Sequence, residues 1–222
     1  MYKIFLSIFL TGFLIYSFSQ NEKVSHLSLL NHYNNAESLF NKAEKLAEKA
    51  GDDDVLLEKA DKVYYESLLA FEKIVAISKK ENYDSLTFFA LLRKGLISFY
   101  LNDPLKSKKD YLLAFSIKQP LLSIPDSNLF IPYIYTGGIY YSQNQFDSAF
   151  VYLKKAEKIN DLYNQQLPES ERLFNRLGVM YYETGNYKQA RSYFEKAIAV
   201  LSGASETDKP LLVNYKINIA SI

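Results

Sequence analysis

The chain has 222 residues, 48% hydrophobic and 15% aromatic, with six prolines, which excludes a disordered polymer and leaves enough apolar material for a sizeable core. Its 26 basic residues are met by 25 acidic ones, so it lacks the basic excess of a nucleic-acid binder. No cysteine is present, which excludes disulfides, thiolate metal sites and thiol nucleophiles.

The amino terminus reads as an address. Met1-Tyr2-Lys3 supplies one positive charge, and Ile4 to Phe18 is almost wholly apolar, broken only by Ser7, Thr11, Gly12 and Ser17. Ser17-Phe18-Ser19 then offers small residues at the spacings a signal peptidase reads, ahead of Gln20. Residues 1–19 are therefore expected to be a cleaved secretory leader, and the mature chain to be exported, to a periplasm or the outside. An uncleaved anchor is the rival, although the run is shorter than the roughly 20 residues that span a bilayer. A buried core helix is the third reading. With Lys3 removed, the formal charges balance.

Residues 20–82 are helical in pattern but irregular, and read as a divergent hairpin that caps the more regular segment after it. Ala36, Phe40 and Ala43 form one small-large-small face, the signature expected of the second helix of a repeat. Gly51-Asp52-Asp53-Asp54 separates this segment from one long helix over Val55 to Lys79, its acidic residues placed to complement a helix amino terminus. The same aspartates lack the alternation of a calcium loop. His26 and His32 are the only histidines, and six residues apart they do not share a helix face, so no metal site is expected.

From residue 83 onward the chain repeats itself. Gly95 is followed at offsets of twelve, sixteen and nineteen by Ser107, Tyr111 and Ala114; Gly137 by Ala149, Leu153 and Ala156; and Gly178 by Ala190, Phe194 and Ala197. A fourth anchor falls near Ala220, and the anchors lie 42, 41 and 42 residues apart. The physical reason is packing: two helices cross closely only where side chains are small, and a large residue one turn along fills the adjoining hole. Ser170 to Thr184 and Tyr187 to Ser202 read as an antiparallel pair around Gly185-Asn186, a stop signal that tolerates a left-handed backbone. Pro168, Glu169 and Glu171 read as helix-start residues. The repeats are set at about 84–125, 126–167 and 168–208, with a partial one at 209–222. Gln119 to Asp126 and Ser202 to Lys209 are linkers. The apolar Ile217, Ile219, Ala220 and Ile222 want cover, which suggests a fragment of a longer protein.

Phe174-x-x-Leu177-Gly178-x-x-Tyr181 with Ala190-x-x-x-Phe194-x-x-Ala197 resembles a tetratricopeptide repeat. Tyr133-x-x-Thr136-Gly137-x-x-Tyr140 with Ala149, Leu153 and Ala156 is a second copy. Leu91 and Gly95 with Ser107, Tyr111 and Ala114 is a weaker third, because Ser98 replaces the aromatic. The family's closing proline is absent, with Gln119, Asp161 and Ser202 in its place, and the spacing is that of the long, ~42-residue variants rather than of the 34-residue repeat. The resemblance implies an all-α fold, an α-α superhelix: a right-handed solenoid of antiparallel helix pairs.

No motif of enzymatic chemistry is present, and no cofactor is expected. Thr136-Gly137-Gly138 lies within a first-helix pattern and lacks the lysine of a phosphate loop, so packing glycines are expected. In tetratricopeptide-like stacks the first helices line the concave face. That implies a peptide-binding face built from Arg93, Phe99, Tyr135, Tyr141, Asn175, Arg176 and Tyr182, residue types that dominate binding hot spots. The same aromatics serve equally well as core between repeats. The lysine-and-asparagine clamp of chaperone-docking members is not matched. The expected function is an exported, non-catalytic scaffold for a protein or peptide partner, without nucleic acid, and touching a membrane only through a retained leader or a downstream span. The alternative is the sensing half of a larger signalling or transcriptional regulator with a membrane span and an output domain.

Overall fold

The computed structural model describes residues 24–119, 121–165, 167–201 and 209–222; the expected leader and most of the linker after Leu201 lie outside them. Among the described residues every regular element is helical. In chain order they are α1 (Val24–Ala50), α2 (Asp54–Lys80), α3 (Asp84–Tyr100), α4 (Pro104–Lys118), a short 3-10 turn (Asp126–Leu129), α5 (Phe130–Ser142), α6 (Phe146–Leu162), α7 (Ser170–Glu183), α8 (Tyr187–Leu201) and α9 (Lys209–Ala220).

The chain divides into two compact units, one ending at Pro125 and one running from Asp126 to Ile222. In the first unit α1 pairs with α2, α2 with α3 and α3 with α4; in the second α5 pairs with α6, α6 with α7, α7 with α8 and α8 with α9. Within the first unit α2 packs along α3 and joins the leading hairpin to the first repeat. The Ala36, Phe40 and Ala43 face is buried, and it belongs to the first helix of its hairpin.

Local signals set the boundaries. The Asp53 carboxylate accepts from the amides of Val55 and Leu56 at 3.0 and 3.1 Å, a side-chain cap for α2. Asp103 does the same for Lys106 at 3.0 Å, with Pro104 opening α4. Pro168 falls outside α7, whose amino-terminal flank is Glu169 in a left-handed conformation with φ 68°.

The turn inside each repeat is the same object three times. Asn102, Asn144 and Gly185 stand at φ 58°, 56° and 74°. The next amide in each case reaches back to close the first helix: Asp103 to the carbonyl of Ser98 at 2.8 Å, Gln145 to that of Tyr140 at 2.9 Å, and Asn186 to that of Tyr181 at 2.9 Å. This is the bonding of a left-handed helix stop, for which glycine and asparagine are suited.

The anchor glycines seat one large side chain apiece. A Cβ on Gly95 would lie 2.6 Å from Tyr111, one on Gly137 2.8 Å from Leu153, and one on Gly178 2.5 Å from Phe194. Ser107, Ala114, Ala149, Ala156, Ala190 and Ala197 are all fully buried along the same contacts.

A second theme joins the two helices of each pair. Tyr140 stacks on Tyr152 with centroids 5.4 Å apart, and Tyr181 stacks on Tyr193 at 5.3 Å. The Lys155 ammonium lies 4.9 Å from the Tyr152 ring, and that of Lys196 lies 5.1 Å from the Tyr193 ring. At the equivalent places in the first repeat stand Ser98 and Asp110, both buried, and Lys94 pairs with Asp110 at 3.3 Å. Burial holds the Asp110 carboxyl above its ordinary value against the pull of Lys94.

Because Phe194 is itself enclosed, with 2% of its surface exposed, its ring cannot yield to a new methyl. Gly178→Ala is expected to destabilise by ~1–3 kcal/mol, and Ala197→Leu by a similar amount, through overpacking. Urea unfolding followed by circular dichroism measures both; unchanged midpoints would show that the helices have room to part.

Candidate functional site

The seven residues expected to line one inner face do not share one environment. In the first unit Arg93, two residues before Gly95, is 6% exposed. Its Nε donates to Glu37 Oε1 of α1 at 2.5 Å, and its guanidinium lies over the Phe40 ring at 4.7 Å. Burial disfavours its charge, but Glu37 more than offsets this and the group is held above its ordinary value. Arg93 is thus corrected from an open ligand-binding residue to one side of an ion pair joining α1 to α3. Phe99 stays part-exposed, its ring 6.5 Å from that of Tyr100.

In the second unit the same position of the last two repeats also reaches back to the preceding first helix. Arg176 of α7 lies against Gly138 of α5, where any Cβ would collide with the guanidinium. Asn218 of α9 donates to Asn175 of α7 at 2.8 Å. Tyr135 is 1% exposed, so it too is corrected to a core residue; its hydroxyl accepts from Arg172 Nη1 at 3.1 Å, and Arg172 lies over the ring at 5.5 Å. The two neighbouring glycines therefore serve different partners, Gly137 admitting Leu153 of its own repeat and Gly138 admitting Arg176 of the next.

Tyr141 and Tyr182 depart from the expected ladder in another way. Each reaches the turn at the end of its helix and meets an aromatic of the second helix: Tyr141 with Phe146 at 5.6 Å, Tyr182 with Tyr187 at 5.4 Å, both edge to face. Phe146 is 42% exposed, Tyr182 36% and Tyr187 52%. The Tyr141 hydroxyl also donates to Glu183 at 3.2 Å; partial burial and that carboxylate hold its phenol above the ordinary value.

Sequence reasoning missed Glu37, Arg172, Asn218, Phe146 and Tyr187. The last two were legible, since each stands two residues past a left-handed turn residue at a repeat spacing. Glu37 was not, because it lies in the irregular hairpin. Among the described residues no group of three metal-ligating side chains forms, and no helix is long and apolar enough to cross a membrane. His26 is buried with its ring 4.2 Å from that of Tyr83, and His32 is exposed.

Residues 171–202, which are α7 and α8, match the tetratricopeptide repeat family. No curated protein matches the chain. Among solved structures it is similar to BtubC (BKLC) from P. vanneervenii, at 17% identity over 87% of this chain and 82% of that one, with a TM-score of 0.60. It is also similar to a kinesin light chain candidate from Podosopora anserina built of nearly identical TPR-like repeats, at 12% identity over 86% and 85%, with a TM-score of 0.58. The fold is all-α and tetratricopeptide-like, of the α-α superhelix class. Within the segment that matches the repeat family stand Asn175, Arg176 and Tyr182.

Two outcomes follow from the polar contacts. Removing one partner of the buried Arg93–Glu37 pair, as in Glu37→Gln, is expected to cost ~3–5 kcal/mol, while replacing both by apolar residues of similar volume costs far less; denaturant melts of the single and double variants separate the two. The second concerns alkaline pH. Burial, first, holds the Tyr33, Tyr193 and Tyr215 phenols above their ordinary value, Tyr193 also through its bond to Glu157 and Tyr215 up to about 12. Raised folded values mean that this stability is complete below the unfolded value of about 10 and drains as pH rises past it. Thermal melts should fall from about pH 10 upward; a flat profile there would contradict the burial of these hydroxyls.

Proposed function

We propose that the chain is a non-catalytic scaffold that binds a protein or peptide segment, and that it works outside the cytoplasm. The carrying observation is the pair of aromatic couples, Tyr141 with Phe146 and Tyr182 with Tyr187, set at the same turn of successive repeats, with Phe146, Tyr182 and Tyr187 exposed and Tyr141 part-exposed. Exposed aromatic rings at a regular spacing make a surface for a partner rather than a core. The tetratricopeptide match over 171–202 and the absence of any catalytic motif support the same reading. The apolar run from Ile4 to Phe18 with its small-residue exit supports export.

A second reading makes the chain the sensing half of a larger signalling or transcriptional regulator with a span and an output domain. It is favoured by α9, which buries Tyr215 yet leaves Val213 55% and Ile217 59% exposed, an apolar face suited to a further helix. Sequencing the reading frame beyond Ile222 decides between the two.

The scaffold reading is tested by crosslinking capture from envelope extracts with identification of the retained protein. Tyr182→Ala is expected to reduce capture of a given partner by about tenfold, the scale of a hot-spot aromatic, with the melting curve unchanged. Equal loss of folding and capture would return Tyr182 to the core.

A further inference from the structure

Arg93 and Arg176 occupy the same position of their repeats, two residues before Gly95 and Gly178. Both reach toward the preceding first helix. Arg93 meets a carboxylate there, Glu37 at 2.5 Å. Arg176 meets Gly138, which has no side chain to offer. Its Nε is sealed from solvent and has no hydrogen-bond partner, and no carboxylate pairs with it among the described residues. Glu169, whose charge favours the guanidinium, pairs at 3.3 Å with Arg172 rather than with Arg176, and Glu171 acts on Tyr215. Arg172, one turn before Arg176, repels its charge, so that burial and a like neighbour together hold the guanidinium below its ordinary value. A part-buried guanidinium without a directly paired anion is an expensive thing to keep, since an unpaired charge is costly to desolvate. As a residue, however, Arg176 keeps part of its surface open to solvent.

We infer that Arg176 receives an acidic side chain of the bound protein segment, so that the ligand supplies the carboxylate that Glu37 supplies to Arg93. Gly138 leaves the space that the guanidinium occupies, and the acid beside it, Glu169, is engaged by Arg172. A planar fork of this kind bonds a carboxylate through two parallel N–H donors. The inference rests on the scaffold reading and names the chemistry of its partner.

The test is selection of amidated random peptides on the full chain, followed by affinity measurement of the enriched sequences. The expected result is enrichment of peptides with an aspartate or glutamate at a fixed place. Changing that residue to Asn or Gln, or Arg176 to Gln, should each weaken binding by about ten- to hundredfold. The two changes together should be no worse than either alone. Arg176→Lys, which keeps the charge without the fork, should recover only part of the affinity, and Arg176→Glu should select basic residues at that place. Thermal melts of each variant confirm that the fold is retained, and the Nε–H resonance of Arg176 should shift on adding an enriched acidic peptide but not its amide counterpart. Enrichment of peptides without an acidic preference, bound equally by Arg176→Gln, overturns the inference and leaves the scaffold reading standing. No enrichment of any sequence overturns both.

Discussion

The structure depends on how close two helices can come. At Gly95, Gly137 and Gly178 the backbone of a first helix approaches its partner until a single large side chain occupies the space where a Cβ would be. Apolar burial supplies the driving force, but it does not choose a register; the match of an absent side chain to a large one does. The buried alanines and serine along each second helix extend that match over its length. The turn between the helices is then nearly determined, because the chain must reverse within a few residues, and a left-handed residue at 102, 144 and 185 does so while satisfying the carbonyls of the first helix.

Once the pairs are fixed, the residue two before Gly95, Gly178 and Ala220 is aimed at the preceding first helix. What it finds there differs from repeat to repeat. Arg93 finds a carboxylate, Asn218 an amide and Arg176 a bare glycine. The scaffold is thus periodic in backbone and aperiodic in polar contacts. Periodicity makes the chain fold; departures from it give one stretch of the surface a character that the others lack. That division of labour is common to repeat architectures, in which neighbouring units carry the stability and individual positions carry recognition.

Much of the fold was legible because packing is local in a repeat. The anchor glycines, the small-large-small offsets and the helix limits at 170 and 187 are written in the order of residues along the chain. The site was less so. Whether an arginine is neutralised depends on a residue in another helix, and Glu37 stands 56 positions before Arg93. Periodicity says that Arg93 and Arg176 are equivalent; only the contacts across helices show that they are not. Tyr135 and Tyr141 illustrate the same limit. Both lie on one first helix and were assigned to one face, yet the first is enclosed while the second reaches the rim. Asn102 and Asn144 were missed as turn residues for a simpler reason: asparagine is ordinary in helices and loops alike, and only its place seven residues past each anchor marks it.

The stacked tyrosines give the molecule a built-in gauge. The chain has no tryptophan, so its near-ultraviolet emission comes from phenols alone, undrained by transfer to indole. Tyr140 lies on Tyr152, and Tyr181 on Tyr193, each couple drawn from the two arms of one pair with planes within about ten degrees of parallel. Tyr193 further donates to a carboxylate, Glu157, at 2.6 Å. Light emission and exciton-coupled dichroism from these couples therefore follow whether the arms are still meshed, and they do so in the unit that begins at Asp126, without a dye or a label.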